Sequence, residues 1–374
     1  MLSAGSDMSV RPTRNCAAII SAMKKLSLFT SAFLLVATLQ AAEEPKLSPL
    51  PVPLSNNAVA MTRGGKEASI FSFMGMGSKK TWNAISNQAF QMELNTGKWT
   101  EVRAVPGVAG RLAASAAALR EQVVLIGGYV VDAQGGETTV PDVNIYVPVE
   151  NRWYRGEDTP VPVDDSVVGV YRDRFLYLVS GWSKTEPTRK VQVYDTEKNK
   201  WMEATPIPGT PVFGHAGAIL GDTIVYVDGA YPNPSGGNPR YIASSECWMG
   251  KINKADITKI EWTKLPGHPG PARYRIAAGA SEKNGRIYFS GGTDNPYNDN
   301  GIGYNGQPSE PSPVTFAFNL RSGKWETINE NTPDPVMDLR GLLVTHRGLV
   351  IVGGMAKGQQ VTPNVAIVKT SPAK

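Results

Sequence analysis

The sequence is poor in cysteine and histidine, with two cysteines and three histidines among 374 residues. Cys16 falls within an N-terminal segment that we expect to be removed, so Cys247 remains alone and an intramolecular disulfide is excluded. His215, His268 and His346 are far apart along the chain, and no Cys/His spacing typical of a metal site occurs. We therefore predict no bound metal and no cofactor.

Several catalytic patterns are also missing. The sequence has no Gly-x-Ser-x-Gly elbow, phosphate-binding loop or dinucleotide fingerprint, which excludes the enzyme classes that depend on them. It has few long apolar stretches at helical period, but it contains 38 glycines and 28 prolines. Many Val, Ile, Tyr and Trp residues lie between these turn formers, which predicts an all-β protein of short strands.

The first apolar stretch has the features of an export signal. A short basic segment, Met23-Lys24-Lys25, precedes an apolar run from Leu26 to Ala37, and small residues follow at Ala41-Ala42. We predict a leader and signal peptide over residues 1–42, with translation starting at Met23, and a single mature domain over residues 43–374. The mature protein is then periplasmic or secreted.

Most of the apparent basicity belongs to this leader. The net charge of the whole chain is +5, and removal of residues 1–42 lowers it to about +2. The mature part has no dense run of Lys or Arg, so we expect no nucleic-acid partner and, after signal cleavage, no membrane partner. We expect a monomer.

An internal repeat determines the predicted architecture. An apolar run that ends in small residues recurs at intervals of roughly fifty to sixty residues, over 70–75, 123–128, 176–181, 224–229, 287–292 and 349–354. A tryptophan follows each of the first five runs, at Trp99, Trp153, Trp201, Trp262 and Trp325. This order of apolar strand, small-residue pair, turn and tryptophan resembles the Kelch repeat, and it implies a six-bladed Kelch-type β-propeller from about Leu47 to Val368.

The sixth repeat has no tryptophan because the chain ends at Lys374. Residues 46–51 are similar in sequence to residues 262–266, which belong to the outer strand predicted for an earlier blade. We therefore predict that the propeller is closed by the N-terminal strand, with residues 46–52 paired to the last blade.

Polar residues begin the innermost strands of the predicted blades, at one mouth of the central channel. They are Arg111, Asp165, His215, Arg275 and Arg340. Two interpretations are open. These side chains satisfy backbone groups and buried water in the channel, or the arginines form a cationic pocket for a carboxylate, to which the planar guanidinium is well suited.

Two long loops, over residues 231–241 and 294–308, are rich in Asn, Gly and Tyr. Their aromatic faces and amide groups are of the kind that binds sugars. Irregular, solvated surface loops are the alternative interpretation.

A narrower resemblance adds to this picture. The exported six-bladed layout, the segment 50–54 and the run 349–354 resemble the periplasmic N-acetylneuraminate epimerases, which are mutarotases of sialic acid. The resemblance implies acid–base ring opening and an arginine that holds the sugar carboxylate. The sequence departs from that family at Ala230, where the family has its catalytic glutamate, so Asp228 or Glu246 would have to replace it. Arg240 matches the family's arginine.

Three hypotheses therefore stand together. The first is an exported propeller that binds a small acidic sugar at Arg111, Asp165, His215, Arg240, Arg275 and Arg340, either as a mutarotase or without catalysis, since the sequence identifies no catalytic residue. The second is a non-catalytic scaffold that binds an acidic segment of a protein or peptide. The third is a different enzyme on the same fold, acting on a carbohydrate or a cell-wall component.

Overall fold

Short antiparallel strands make up the part of the chain that the structure, a computed structural model, describes: residues 44–63, 65–107 and 110–370. The predicted leader lies outside these residues, so export stays a prediction. The strands belong to one compact unit, Glu44–Lys374. Within the described ranges no helix is long and apolar enough to cross a membrane.

The first three blades are four-stranded sheets. In chain order the first contains β1 (Ala58–Met61), β2 (Ser69–Met76), β3 (Ile85–Glu93) and β4 (Lys98–Val102). The second contains β5 (Ser115–Leu119), β6 (Gln122–Ile126), a hairpin of β7 (Tyr129–Val131) and β8 (Glu137–Thr139), then β9 (Val143–Val147) and β10 (Arg152–Arg155). The third contains β11 (Val167–Tyr171), β12 (Phe175–Val179), a hairpin of β13 (Trp182–Ser183) and β14 (Glu186–Pro187), then β15 (Val191–Asp195) and β16 (Lys200–Ala204).

The fourth and fifth blades repeat this order, and the sixth has three strands. The fourth contains β17 (Ala216–Leu220), β18 (Thr223–Val227), a hairpin of β19 (Ala230–Pro232) and β20 (Tyr241–Ala243), then β21 (Cys247–Ile252) and β22 (Ile260–Leu265). The fifth contains β23 (Ala277–Ser281), β24 (Arg286–Ser290), β25 (Thr315–Asn319) and β26 (Lys324–Asn329). The sixth contains β27 (Leu343–Thr345), β28 (Gly348–Val352), a hairpin of β29 (Met355–Ala356) and β30 (Gln360–Val361), then β31 (Val365–Val368). Short 3-10 turns lie at Gly65–Glu67, Trp82–Ala84, Pro148–Glu150 and Lys357–Gln359.

The residue pattern of each strand follows its distance from the channel. Inner strands such as β5 (SAAAL) and β23 (AAGAS) use small residues because they converge around the axis. The second strands are apolar and buried along their length, as in β28 (GLVIV), because neighbouring blades cover both faces. Outer strands such as β4 alternate between half-buried and exposed positions. This order confirms the predicted six-bladed propeller.

The small-residue pair at the end of each second strand has a steric cause. Both residues of each pair have a positive φ, and the second is always glycine: Met74-Gly75, Gly127-Gly128, Ser180-Gly181, Asp228-Gly229, Gly291-Gly292 and Gly353-Gly354. A Cβ on Gly229 would lie 2.7 Å from the Cβ of His215 at the start of the adjacent inner strand. The second position therefore requires glycine, whereas the first tolerates a side chain.

The ring closes between the sixth and first blades, where β27 contacts β1. Leu47, Leu50 and Leu54 of the N-terminal segment are buried in one cluster with apolar residues of both blades. The Leu50 N–H donates to the Pro363 carbonyl at 2.7 Å, just before β31. The segment thus closes the ring as predicted, although residues 46–52 form no strand in the structure.

Candidate functional site

Ahead of each inner strand, a single residue takes a left-handed backbone conformation. The six equivalent residues are Asn56, Ala113, Asp165, Gly214, Arg275 and Asp338, with φ between 48° and 64°. Backbone hydrogen bonds join several of them from blade to blade. The Gly214 N–H donates to the Asp165 carbonyl at 2.9 Å, and the Arg275 N–H donates to the Gly214 carbonyl at 2.7 Å. This geometry brings side chains of different blades together at the channel.

Four charged side chains meet there as a central ion-pair network, formed by Asp165, Arg275, Asp338 and Arg340. Arg275 lies 2.9 Å from a carboxylate oxygen of Asp165 and 2.9 Å from one of Asp338. Arg340 lies 2.5 Å from the other oxygen of Asp165. All four side chains are at most 4% exposed. Two positive charges are thus matched by two negative charges inside the protein.

The network shifts the pKa values of two of its members, Asp165 and Arg275. Burial disfavours the charged form of Asp165, but the nearby guanidinium groups of Arg275 and Arg340 outweigh it and lower the pKa of Asp165 below its usual value. Burial likewise disfavours charged Arg275, yet Asp165 and its neighbours raise the Arg275 pKa well above its usual value. The hydroxyl of Tyr297 donates to Asp338 at 3.2 Å. The shifted pKa values keep Asp165 and Arg275 charged at neutral pH.

Two cavities adjoin the network. Asp165 and Arg275 line a pocket of about 200 Å³ among the connections that follow the small-residue pairs, which we name the loop-face pocket. Arg340 and His215 line the central channel, a cavity of about 850 Å³ between the inner strands.

Aromatic side chains form much of the wall of the loop-face pocket. Trp182 of β13 packs edge-on against Phe213 and Tyr241, with ring centres 5.2 and 5.6 Å apart. Tyr304, from the loop of the fifth blade, packs against Tyr241 at 4.7 Å. Three blades thus contribute these aromatic side chains to a concave surface with ring faces and edges, which is suited to the C–H faces of a sugar.

Three carboxyl groups also line this pocket: Glu137 of β8, Asp164 and Asp299. Burial raises the pKa of Asp164 well above its usual value, and the Asp165 charge adds to this. The Thr139 hydroxyl donates to Asp164 at 2.7 Å. Desolvation also raises the pKa of Glu137 and that of Asp299. Of the three residues, Glu137 is the most exposed and lies at the rim. Carboxyl groups whose pKa is raised by burial are candidates for general acid and base catalysis.

Two cations complete the rim of the pocket, Lys184 and Arg240. The Arg240 guanidinium lies over the Tyr241 ring, 5.1 Å from its centre. Among the described residues neither cation forms an ion pair, unlike the arginines of the central ion-pair network. Both are exposed.

Comparisons with known proteins agree with this architecture. Kelch-like protein 15 of Gallus gallus is 32% identical over 113 residues, which are 30% of this chain and 22% of that protein. Kelch-like protein terF of Aspergillus terreus is 26% identical over 227 residues, 59% of this chain and 44% of that protein. The solved structure of YjhT matches with a TM-score of 0.69 at 17% identity, over 88% of this chain and 99% of that one. The chain is a Kelch-repeat β-propeller.

No protein-family model matches this Kelch propeller. It spans about a fifth of the length of Kelch-like protein 15 and less than half of terF. The likeness to YjhT, at 17% identity, shows the fold alone. The function must therefore be argued from the site.

The Kelch propeller brings only some of the sequence-predicted site residues together. Asp165, Arg240 and Arg275 line the loop-face pocket, whereas His215 and Arg340 line the channel. Their predicted role in binding a ligand stays a prediction, but the charges of Arg275 and Arg340 are already paired with carboxylates.

Arg111 lies apart from both cavities, inside the second blade. Its guanidinium donates to the Asn144 side chain of β9 at 2.8 Å, and burial lowers its pKa to about 10. It precedes the left-handed position by two residues, so it points into its own blade, whereas Asp165 and Arg275 occupy that position themselves.

The structure also shows the surroundings of Ala230, the position at which the N-acetylneuraminate epimerases have a glutamate. Ala230 begins β19 and is fully buried. Asp228 and Glu246, the suggested replacements, do not line the loop-face pocket: Asp228 contacts His268, and Glu246 contacts Lys264. Besides Asp165, the carboxyl groups that line the pocket are Glu137, Asp164 and Asp299, none of which was predicted individually as a site residue. The available signals were that Asp164 is next to Asp165 in the sequence and that Asp299 lies within the predicted loop over residues 294–308.

Proposed function

We propose that the loop-face pocket binds one ring of an acidic sugar and catalyses interconversion of its anomers. The observation that carries the proposal is a small aromatic pocket with carboxyl groups of raised pKa in its wall and, at its rim, cations that have no ion-pair partner among the described residues. A volume of about 200 Å³ is below the range for drug-sized ligands, which suits a monosaccharide. The predicted export would place this activity in the periplasm or outside the cell.

The charges of the site favour a specific orientation of the sugar. Arg275 is shared between Asp165 and Asp338, so it has little free capacity for a ligand carboxylate. Lys184 and Arg240 have no such partners among the described residues. In this proposal the sugar carboxylate binds these two rim cations, and the ring packs on Trp182 and Tyr241.

The carboxyl groups of the wall then supply the proton transfers. Glu137, exposed at the rim, takes the proton of the anomeric hydroxyl as the bond between the anomeric carbon and that oxygen becomes a carbonyl. Asp164, whose pKa burial raises well above its usual value, gives a proton to the ring oxygen as the ring bond breaks. Closure of the ring on the other face of the carbonyl reverses both transfers and yields the other anomer.

Binding can be tested with matched sugars. We expect calorimetry and thermal shift to detect glucuronate or N-acetylneuraminate, but to detect glucose only weakly, because glucose lacks the carboxylate of glucuronate. Replacement of Arg240 by Gln should weaken glucuronate binding about tenfold or more, the value of one charge-assisted hydrogen bond. Arg152→Gln is the matched control, because Arg152 also lies 5.1 Å over a tyrosine ring but outside the pocket.

Catalysis needs a separate measurement, anomer exchange by NMR. Asp164→Asn and Glu137→Gln should each slow exchange while glucuronate still binds. Sugar binding without any acceleration of exchange would support a binding protein and contradict the mutarotase. Binding of an acidic peptide, but of no sugar, through Lys184 and Arg240 would support the scaffold hypothesis instead.

A further inference from the structure

A second cluster of polar side chains lies away from the loop-face pocket, between the fourth and fifth blades. It contains Asp228 at the end of β18, Cys247 at the start of β21, and His268 in the connection to β23. One ligand atom from each lies within 4.8 Å of the other two. Asp228 and Cys247 are 1% exposed, and the His268 side chain is 3% exposed. Three different kinds of metal ligand thus meet in a site closed to solvent.

Both ring nitrogens of His268 lie within hydrogen-bonding distance of oxygen atoms that can only accept. Its Nε2 lies 2.8 and 2.9 Å from the two carboxylate oxygens of Asp228, and its Nδ1 lies 2.9 Å from the Pro269 carbonyl oxygen. Both partners are acceptors, but a neutral imidazole carries one N–H. In either tautomer a ring lone pair therefore faces an oxygen. A cation at Nε2, with the Nδ1–H donated to Pro269, removes this conflict, and so does a second ring proton that pairs with Asp228.

The surroundings resemble the outer contacts of a metal site. A histidine ligand is commonly oriented by a hydrogen bond from its other nitrogen to a backbone carbonyl, as His268 is by Pro269. The Arg273 N–H donates to one oxygen of Asp228 at 3.0 Å and leaves the other oxygen for a metal. The imidazole is stacked on Phe316, with ring centres 4.3 Å apart.

The ligand types select the metal. Nitrogen, carboxylate oxygen and thiol sulfur together are typical of zinc, whereas magnesium and calcium prefer oxygen alone. Tetrahedral zinc would hold these atoms roughly 3.3 to 3.6 Å apart. The Asp228–His268 contact would widen from 2.8 Å.

We propose that Asp228, Cys247 and His268 bind one zinc ion that ties the fourth blade to the connection leading to the fifth. Sequence spacing does not predict this site, because 40 residues separate Asp228 from His268. Cys247 becomes a thiolate ligand, and its proton is released to solvent when the metal binds.

The test uses the purified protein, stripped with a chelator and then incubated with zinc or cobalt chloride. We expect about one metal per chain after gel filtration and, with cobalt, a thiolate-to-metal charge-transfer band. The conservative variant Cys247→Ser should lose the band and weaken zinc binding by at least about 100-fold. His346→Gln is the matched control, because His346 pairs with Glu44 at 2.9 Å without a cysteine, and it should bind zinc normally.

Two results would overturn the proposal, and both use the wild-type protein. One is the absence of bound metal after incubation with either salt. The other is a pair of ring N–H signals for His268 in the zinc-treated protein by nitrogen-15 NMR, because a doubly protonated imidazole has no lone pair for a metal. Neither result depends on whether the loop-face pocket binds a sugar.

Discussion

The indole N–H of Trp99 donates to the carbonyl of Ser48 at 2.9 Å, across the junction between the two ends of the ring. The other four tryptophans of the repeat each donate to a backbone carbonyl that lies one or two residues after the outer strand of the preceding blade. The pairs are Trp153 with Arg103, Trp201 with Glu157, Trp262 with Thr205, and Trp325 with Pro266. Ser48 therefore takes the place of that residue for the sixth blade. The N-terminal segment replaces the end of an outer strand without forming one.

This closure makes the N-terminal segment important for stability. Leu50 is 3% exposed and packs in the cluster that joins the sixth and first blades. We expect Leu50→Ala to lower the free energy of unfolding by about 2 to 5 kcal/mol, measured by urea titration. Val149→Ala, at a side chain that is 85% exposed, should change it by less than about 0.5 kcal/mol. Equal losses in the two variants would contradict the role of the segment in closure.

The central ion-pair network predicts a structural role for Arg275. Its replacement by Met would leave Asp338 buried without its cation, so we expect a loss of about 3 to 5 kcal/mol in the free energy of unfolding. Arg155→Met, which breaks an exposed pair with Asp142, should cost about 1 kcal/mol or less. Addition of Asp338→Asn to Arg275→Met should recover part of the loss. A double variant no more stable than Arg275→Met would argue against an unpaired charge as the cause.

The small-residue pair gives a prediction with a control of similar φ. Gly229 has a φ of 88°, and a Cβ there would lie 2.7 Å from the Cβ of His215. Gly221 has a φ of 62°, and nothing lies within 4 Å of a Cβ at that position. Gly221→Ala should cost about 1 kcal/mol from backbone strain alone, whereas Gly229→Ala should cost clearly more and lower the melting temperature further. Similar melting temperatures for the two variants would refute the close-approach argument.

The sequence predicted the fold well because its signals are local and repeated. The small-residue pairs mark all six blades and the tryptophans mark the first five, and the structure shows the steric and hydrogen-bonding reasons for both. The site was predicted less well because it depends on contacts between blades. Arg275 reads as a free cation in the sequence, but its two carboxylate partners are 110 and 63 residues away. Asp164 gives no sequence sign that burial will raise its pKa.

His215 makes the stability of the propeller depend on pH. Burial, reinforced by the charge of Arg340 and opposed by the hydrogen bond to the Val179 carbonyl and by Asp165, lowers the pKa of His215 from 6.5 to about 4. The unfolded chain therefore binds a proton on His215 below about pH 6.5, whereas the folded protein does not until about pH 4. Because the unfolded state binds more protons in this window, stability is lost as the pH falls from 6.5 to 4, by at most about 3 kcal/mol.

The His215→Phe variant isolates this effect, because it keeps a planar aromatic ring but binds no proton at that position. Urea unfolding of both proteins at pH 7.5 and pH 4.5 removes the contributions of other titrating groups when the two differences are subtracted. We expect the wild type to lose more stability on acidification than the variant. An equal loss in both proteins would mean that His215 takes up its proton in the folded state as readily as in the unfolded chain. Burial beside Arg340 would then impose no cost on the charged form of His215.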